Sequence, residues 1–219
     1  MWKAGMLKTL GLAGAMALSG HGFSQSTNNI TNQTKNNIHM TLNPKQASDS
    51  LAPYIKKHLD KYWVRESYEE IVNMPVWKIQ AKYWVEKTNL ICAKLLFYET
   101  LIRRAKEDST LRFLSYDTTL CKVSTIWAQT MKDSNRLWHY IDGKSSDDLG
   151  VDLSDYHVIR ENIIDVDDEM TVRELIGYWM KPWKTKHRAT MLAKDSRYLG
   201  PWFVFPYAVL NFWEKFRPY

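Results

Sequence analysis

The sequence predicts a mainly α-helical protein: one helical domain built on a long antiparallel helical hairpin, with a short β element near residues 156–166. Two long apolar-periodic runs carry this reading, one on each side of a polar turn, Lys106, Glu107, Asp108 and Ser109. The only two cysteines, Cys92 and Cys121, fall one on each run at matching distances from that turn. Helix-start signals recur through the rest of the chain.

On the first run, Trp77, Ala81, Trp84, Thr88, Ile91, Leu95, Tyr98, Ile102 and Ala105 recur every three or four residues, the period of one helix face. Pro75 suits the first turn and Asn73 a nearby cap. The second run repeats the pattern with Tyr116, Leu120, Val123, Trp127, Met131, Trp138 and Ile141, and Gly143 stands where a helix-ending glycine belongs. In such a hairpin a Cys92–Cys121 disulfide closes a loop of about 29 residues, for about 3 to 4 kcal/mol on the chain-entropy account. A helix start at Asp117, after a looser connection, would break that symmetry.

Residues 1–24 have the layout of a secretory signal peptide. Lys3 and Lys8 precede an apolar stretch from Leu10 to Leu18, small residues follow, and no acid occurs before Asp49. The apolar stretch is shorter than a bilayer span. Without Lys3 and Lys8 the formal charge of +6 falls to +4, too mild to argue for nucleic acid. Export to a bacterial periplasm, or further to the exterior, supplies the oxidising compartment in which a disulfide is expected. Residues 25–43 are Ser, Thr, Asn, Gln and Lys with almost nothing to bury, a composition expected of a disordered mature N-terminus. Asn29 and Asn32 head two glycosylation-type triplets. The remaining residues, 44–219, suffice for one domain with its own core.

Within that domain Leu51, Ile55, Leu59, Tyr62 and Trp63 predict an amphipathic helix over Ser48–Val64. Ser67 with Glu70, and Thr171 with Glu174, are capping-box pairs opening short helices; Lys181-Pro182 closes the second. A further helix is expected over Thr185–Lys194. Lys144–Asp155 is a polar, acidic loop, and Tyr156–Val166 suits helix or strand. The last stretch, Tyr198–Tyr219, is an aromatic tail cut by Pro201 and Pro206, expected to wrap across the hairpin.

No catalytic, metal or cofactor motif stands out. Gly143-Lys144-Ser145 lacks the upstream glycine of a phosphate loop, since Trp138 occupies that position. Asp165, Asp167 and Glu169 alternate like a calcium loop, but Met170 and Ile176 stand where glycine and a bidentate acid are needed. His157 and Glu161 would share a helix face without further metal ligands at a known spacing. There is no Gly-x-Ser-x-Gly elbow.

What remains points to binding. Lys181–Arg197 is basic with interleaved aromatics, and Trp is favoured at binding hot spots. The candidate contact residues are Trp183, Lys184, Lys186, Arg188, Arg197, Trp202 and Trp213; Trp77, Trp84, Trp127 and Trp138 fall on the expected core stripes. The function expected is that of an exported, non-enzymatic interaction protein meeting an envelope protein, as an accessory part of a secretion or conjugation apparatus. The membrane surface and cell-wall glycan are further partners to consider; nucleic acid is not expected. A glycan-binding or glycan-cleaving protein, with Glu161 and Asp165 as the acid/base pair, is the alternative. An exported toxin or immunity protein is a third.

Overall fold

A computed structural model describes residues 44–215. The export signal expected over 1–24, the polar spacer over 25–43 and the Asn29 and Asn32 triplets lie outside those residues. The chain runs through helix α1 (Pro44–Lys61), the short helices α2 (Tyr68–Val72) and α3 (Val76–Lys82), the long helix α4 (Val85–Glu107), strand β1 (Ser115–Tyr116) and helix α5 (Thr118–Ser134). A 3-10 turn (Ser146–Asp148), strand β2 (Tyr156–Asp165), helices α6 (Val172–Trp179) and α7 (Thr185–Met191), and strands β3 (Tyr198–Val204) and β4 (Tyr207–Lys215) complete it.

The fold is mixed α/β. Among the described residues four strands form one sheet in the order β1-β3-β4-β2, with β1 parallel to β3 and the other neighbours antiparallel. Alternation along the strands assigns the faces. Ile164 of β2, Leu199 and Phe203 of β3, and Ala208, Leu210 and Phe212 of β4 join a core with α1, α4 and α6. Ile163, Trp202, Val204 and Val209 turn to the opposite face and pack with Trp127, Ala128 and Met131 of α5. The sheet thus separates α4 from α5, and both lie against β3.

That separation overturns the helical hairpin and the all-α class. The first predicted run is two helices, broken at Tyr83 and Trp84, whose backbones are extended. The carboxylate of Glu66 fixes the break by accepting from Lys82 Nζ at 2.5 Å and the Tyr83 hydroxyl at 2.6 Å. The second run begins at the Asp117 cap, whose carboxylate accepts from the Thr119 and Leu120 amides at 2.9 and 3.0 Å. It ends at Asn135 in the left-handed region, short of Trp138 and Ile141. Gly143 also has positive φ, in the tight turn closed by Ile141 and Lys144. Cys92 and Cys121, on helices across the sheet from each other, are free and buried, so the expected disulfide is not formed. Burial pushes both thiols up to about 12, which leaves them unreactive at neutral pH.

The short-range signals fare better. Both capping boxes form, at Ser67/Glu70 and Thr171/Glu174. Tyr156–Val166 resolves as strand β2, and the aromatic tail supplies β3 and β4, which give the sheet its centre. Gly200 marks the closest approach of helix to sheet. A Cβ there would stand 2.1 Å from the Leu120 Cβ and 2.3 and 2.5 Å from backbone atoms of Leu120 and Cys121. Nearby, the Ser124 hydroxyl donates to the Gly200 carbonyl at 2.6 Å and accepts from Asn211 Nδ2 at 2.9 Å.

Helix α4 is buried on almost every side, and several of its charged residues have specific partners, while the buried Thr100 hydroxyl has none among the described residues. Glu99 accepts from the Tyr68 hydroxyl at 2.7 Å and from Arg173 at 3.3 Å. Lys94 lies over the Tyr116 ring at 3.3 Å, and burial lowers its pKa to about 8. Arg104 reaches the carbonyls of Met191 and Ala193 at the end of α7. Glu107 pairs with Arg188 at 2.8 Å and Asp108 with Lys194 at 4.0 Å, so the C-terminal end of α4 clamps α7.

Where α1 meets α4, His58 is buried beside the Tyr98 hydroxyl, to which its Nδ1 is hydrogen-bonded. Burial, aided by the charges of Lys94, Lys61 and Lys57, lowers its pKa from 6.5 to about 3. An unfolded chain therefore takes up this proton below about pH 6.5 while the folded chain resists it, and stability falls with acid between those limits. The expected slope is at most about 1.4 kcal/mol per pH unit. Urea midpoints recorded from pH 7 to 4 should decline along this slope, and His58→Gln, which keeps a hydrogen-bonding group beside Tyr98, should flatten it.

Candidate functional site

Four ionisable side chains meet around the outer edge of the sheet at β2, each delivered by a different element. Glu161 projects from the middle of β2 toward the α5 face, by the alternation that puts Ile163 there. His139 comes from the segment after α5, which leaves the helix through Asn135 and is turned back by Asp142 and Gly143, all three with positive φ. Asp147 comes from the 3-10 turn, held by Ser145, whose hydroxyl and amide both donate to Asp148 at 2.8 Å. His187 lies in α7, and its carbonyl accepts from Asn162 Nδ2 at 3.2 Å, which ties α7 to β2.

The central contact is His139 Nδ1 to Glu161 Oε1, at 2.8 Å. The imidazole is 57% exposed and the carboxylate only 8%, so the pair has one wet and one dry end. The second carboxylate oxygen, Oε2, is buried and has no hydrogen-bond partner among the described residues. Asn211, opposite Glu161 on β4, carries another such acceptor, Oδ1. Asp147 is held above the usual carboxylate range by burial and by the Glu161 charge. His187 is lowered by burial, by Lys184 and by His139. A ligand that donates a hydrogen bond to Glu161 Oε2 would satisfy that acceptor. Exposed Trp138 and Tyr140 flank His139 in the chain, and exposed Trp183 precedes α7. Among the described residues, no group of three or more His, Cys, Asp or Glu is arranged to hold a metal ion.

The residues singled out from the sequence have diverse placements. Trp183 is exposed with Lys181 over its ring at 5.3 Å, and Lys186 is exposed. Lys184 covers Tyr178 at 4.4 Å, and Arg188 is engaged by Glu107. Arg197 is half-buried, with its backbone joined to Trp213 and Ser115. Trp202 packs partly buried on the α5 face, and Trp213, 1% exposed and edge-on to Tyr156 at 4.5 Å, is a core residue. Of the tryptophans expected in the core, Trp127 is buried whereas Trp77, Trp84 and Trp138 are exposed.

Sequence reasoning pairs Glu161 with His157 across a helix turn, or with Asp165. On a strand, residues four apart stand about 13 Å apart, so neither pairing arises. It misses His139, Asp147 and His187 as members of one site. The one usable signal is the clustering of Trp138, His139 and Tyr140 immediately beyond a helix.

Residues 102–204, just under half of the chain, match the model of the CAP, cysteine-rich secretory protein, family. Among solved structures, an extracellular SCP-domain protein of Bacillus anthracis superposes with TM-score 0.51 at 22% identity, covering 60% of this chain and 43% of that one. An outer surface protein of Borrelia burgdorferi gives 0.49 at 19% identity over 57% of this chain and 93% of that one. A cysteine-rich secretory protein of Staphylococcus aureus gives 0.45 at 20% identity, over 58% and 39%. No curated protein matches the sequence. The fold is that of a mixed α/β CAP (SCP) domain. These matches also correct the expected place in a secretion or conjugation apparatus, which the family does not support.

Proposed function

We propose that the protein is an exported, non-enzymatic recognition domain that binds an envelope or extracellular partner at the surface site of His139, Asp147, Glu161 and His187, called the cleft below. The observation that carries this reading is the buried, unpartnered Glu161 Oε2 behind an exposed His139. Such a site is half assembled, and a donor from a partner, an amine or a hydroxyl, completes it. Trp138, Tyr140 and Trp183 supply the amphipathic contact area that recognition surfaces favour. The described cysteines offer no nucleophile, since both are buried and protonated. Export rests on the layout of residues 1–24 and agrees with the extracellular description of the Bacillus protein.

Glu161→Gln is the discriminating variant, because it keeps the shape and removes the charge. Crosslinked capture from native envelopes should recover a defined partner with the parent protein, and Glu161→Gln should weaken that complex by about tenfold or more, the scale of a lost charged hydrogen bond. An identical captured set from both proteins would sink the proposal. The raised Asp147 carboxyl beside Glu161 also favours a second reading, glycan cleavage with Asp147 as acid. Soluble fragments released from peptidoglycan by the parent but not by Glu161→Gln would establish it instead.

A further inference from the structure

Trp63 stands in the left-handed region, with φ of +51°, and is 77% exposed. It follows α1 where the chain closes the helix, the Trp63 amide donating to the Asp60 carbonyl at 2.9 Å and the Val64 amide to the Leu59 carbonyl at 2.9 Å. Glycine is the residue this position favours. An indole there is unfavourable twice over, through backbone strain and through apolar surface left in water, and strain of this kind collects at functional sites.

The surroundings give the indole a context. Lys87 Nζ lies 5.9 Å from the Trp63 ring centre, 4.3 Å from that of Tyr83 and 5.0 Å from that of Trp84. Three rings therefore converge on one ammonium. Lys87 is 7% exposed and has no carboxylate partner among the described residues. Of the nearby acids, Asp60 is neutralised by Lys56 and Glu66 by Lys82, while Glu86 stays exposed beside Val85. Trp84 and Val85 are well exposed beside this cage, and the exposed cations Lys61 and Arg65 flank Trp63 in the chain. Exposed indoles around a positive charge are complementary to the boundary of an anionic bilayer, where rings sit at headgroup level and amines meet phosphate.

We infer that the Trp63–Tyr83–Trp84–Lys87 cluster is a docking surface for anionic membrane, independent of the His139–Glu161 cleft. Trp63 and Trp84 enter the headgroup layer, the exposed Lys61 and Arg65 face the lipid phosphates, and the buried Lys87 holds the rings in place beneath them.

The test is cosedimentation of the full chain with phosphatidylglycerol/phosphatidylcholine vesicles and with pure phosphatidylcholine vesicles, beside thermal melts of each variant. Trp63→Gly combined with Trp84→Ala should lower the partition onto anionic vesicles by about tenfold or more. Arg65→Gln should lower it by about fivefold, one charge at the surface. Trp63→Gly alone should melt at or above the parent temperature, which separates lost docking from lost folding. The inference is overturned if the Trp63→Gly/Trp84→Ala protein partitions within about twofold of the parent, or if the parent binds phosphatidylcholine equally well. It is also overturned if the parent forms a dimer in sedimentation equilibrium that Trp63→Gly dissolves, since the cluster then serves a second copy.

Discussion

Gly200→Ala is expected to be among the most destructive single-methyl changes in the molecule. The added Cβ would meet Leu120 Cβ at 2.1 Å and backbone atoms of Leu120 and Cys121 at 2.3 and 2.5 Å, and backbone cannot swing aside like the end of a side chain. Helix α5 would have to lift from β3, breaking the bond from the Ser124 hydroxyl to the Gly200 carbonyl. Overpacking typically costs about 1 to 3 kcal/mol, and a clash with a helix backbone belongs at or above the top of that range. In a protein of this size the melting temperature should drop by about 6 to 12 °C or more. Gly177→Ala is the internal control: it lies within α6 with nothing inside 4 Å of the added carbon, and should stabilise by about 0.5 to 1 kcal/mol. Equal melting of Gly200→Ala and the parent would refute the close packing of α5 on β3.

Arg104→Met should be nearly as costly, for a different reason. The guanidinium is 2% exposed and gives its donors to the Met191 and Ala193 carbonyls. Methionine fills much of the same space but leaves the buried Met191 carbonyl without its donor, at about 1 to 3 kcal/mol, and the partly buried Ala193 carbonyl likewise, at about 1 kcal/mol. The loss should total about 2 to 4 kcal/mol in urea unfolding. The effect should also reach the cleft. Arg104 fastens α7, and α7 carries His187, so Arg104→Met should weaken partner binding at temperatures where the protein is still folded. Glu107→Ala, which removes the partly exposed pairs with Arg188 and Arg103, should cost about 1 kcal/mol or less.

The legible parts of the fold were those written over three or four residues. Ser67 with Glu70 and Thr171 with Glu174 announced their helices because a capping box is complete within its own turn. The sheet was hidden because both its faces are covered. From Ala208 to Trp213 only Asn211 interrupts the apolar residues, so the stretch shows no alternation, the signature of a strand packed on two sides. Pro201 and Pro206 looked like breakers. In fact Pro206 lies in the β3–β4 turn, and Pro201 lies beyond the two β3 residues that pair with β1, where no neighbouring strand asks for its missing N–H. The periodicity of the second run was real through Met131, but it could not say that α4 and α5 face each other across a sheet. The cleft was less legible still. His139, Asp147, Glu161 and His187 come from four elements, and only the strand assignment of 156–165 brings them together.

The order in which the sheet is laid down has a consequence for biogenesis. Its two inner strands, β3 and β4, lie C-terminal to every element they organise, and β1 waits for a parallel partner about 270 Å of extended chain downstream. Until residues 198–215 have left the ribosome, α4 and α5 have no common surface to pack on, and their apolar faces stay without a core. Assembly dominated by such distant pairings is slow. A nascent chain of this design remains open for as long as it is being made, which fits the export proposed for it.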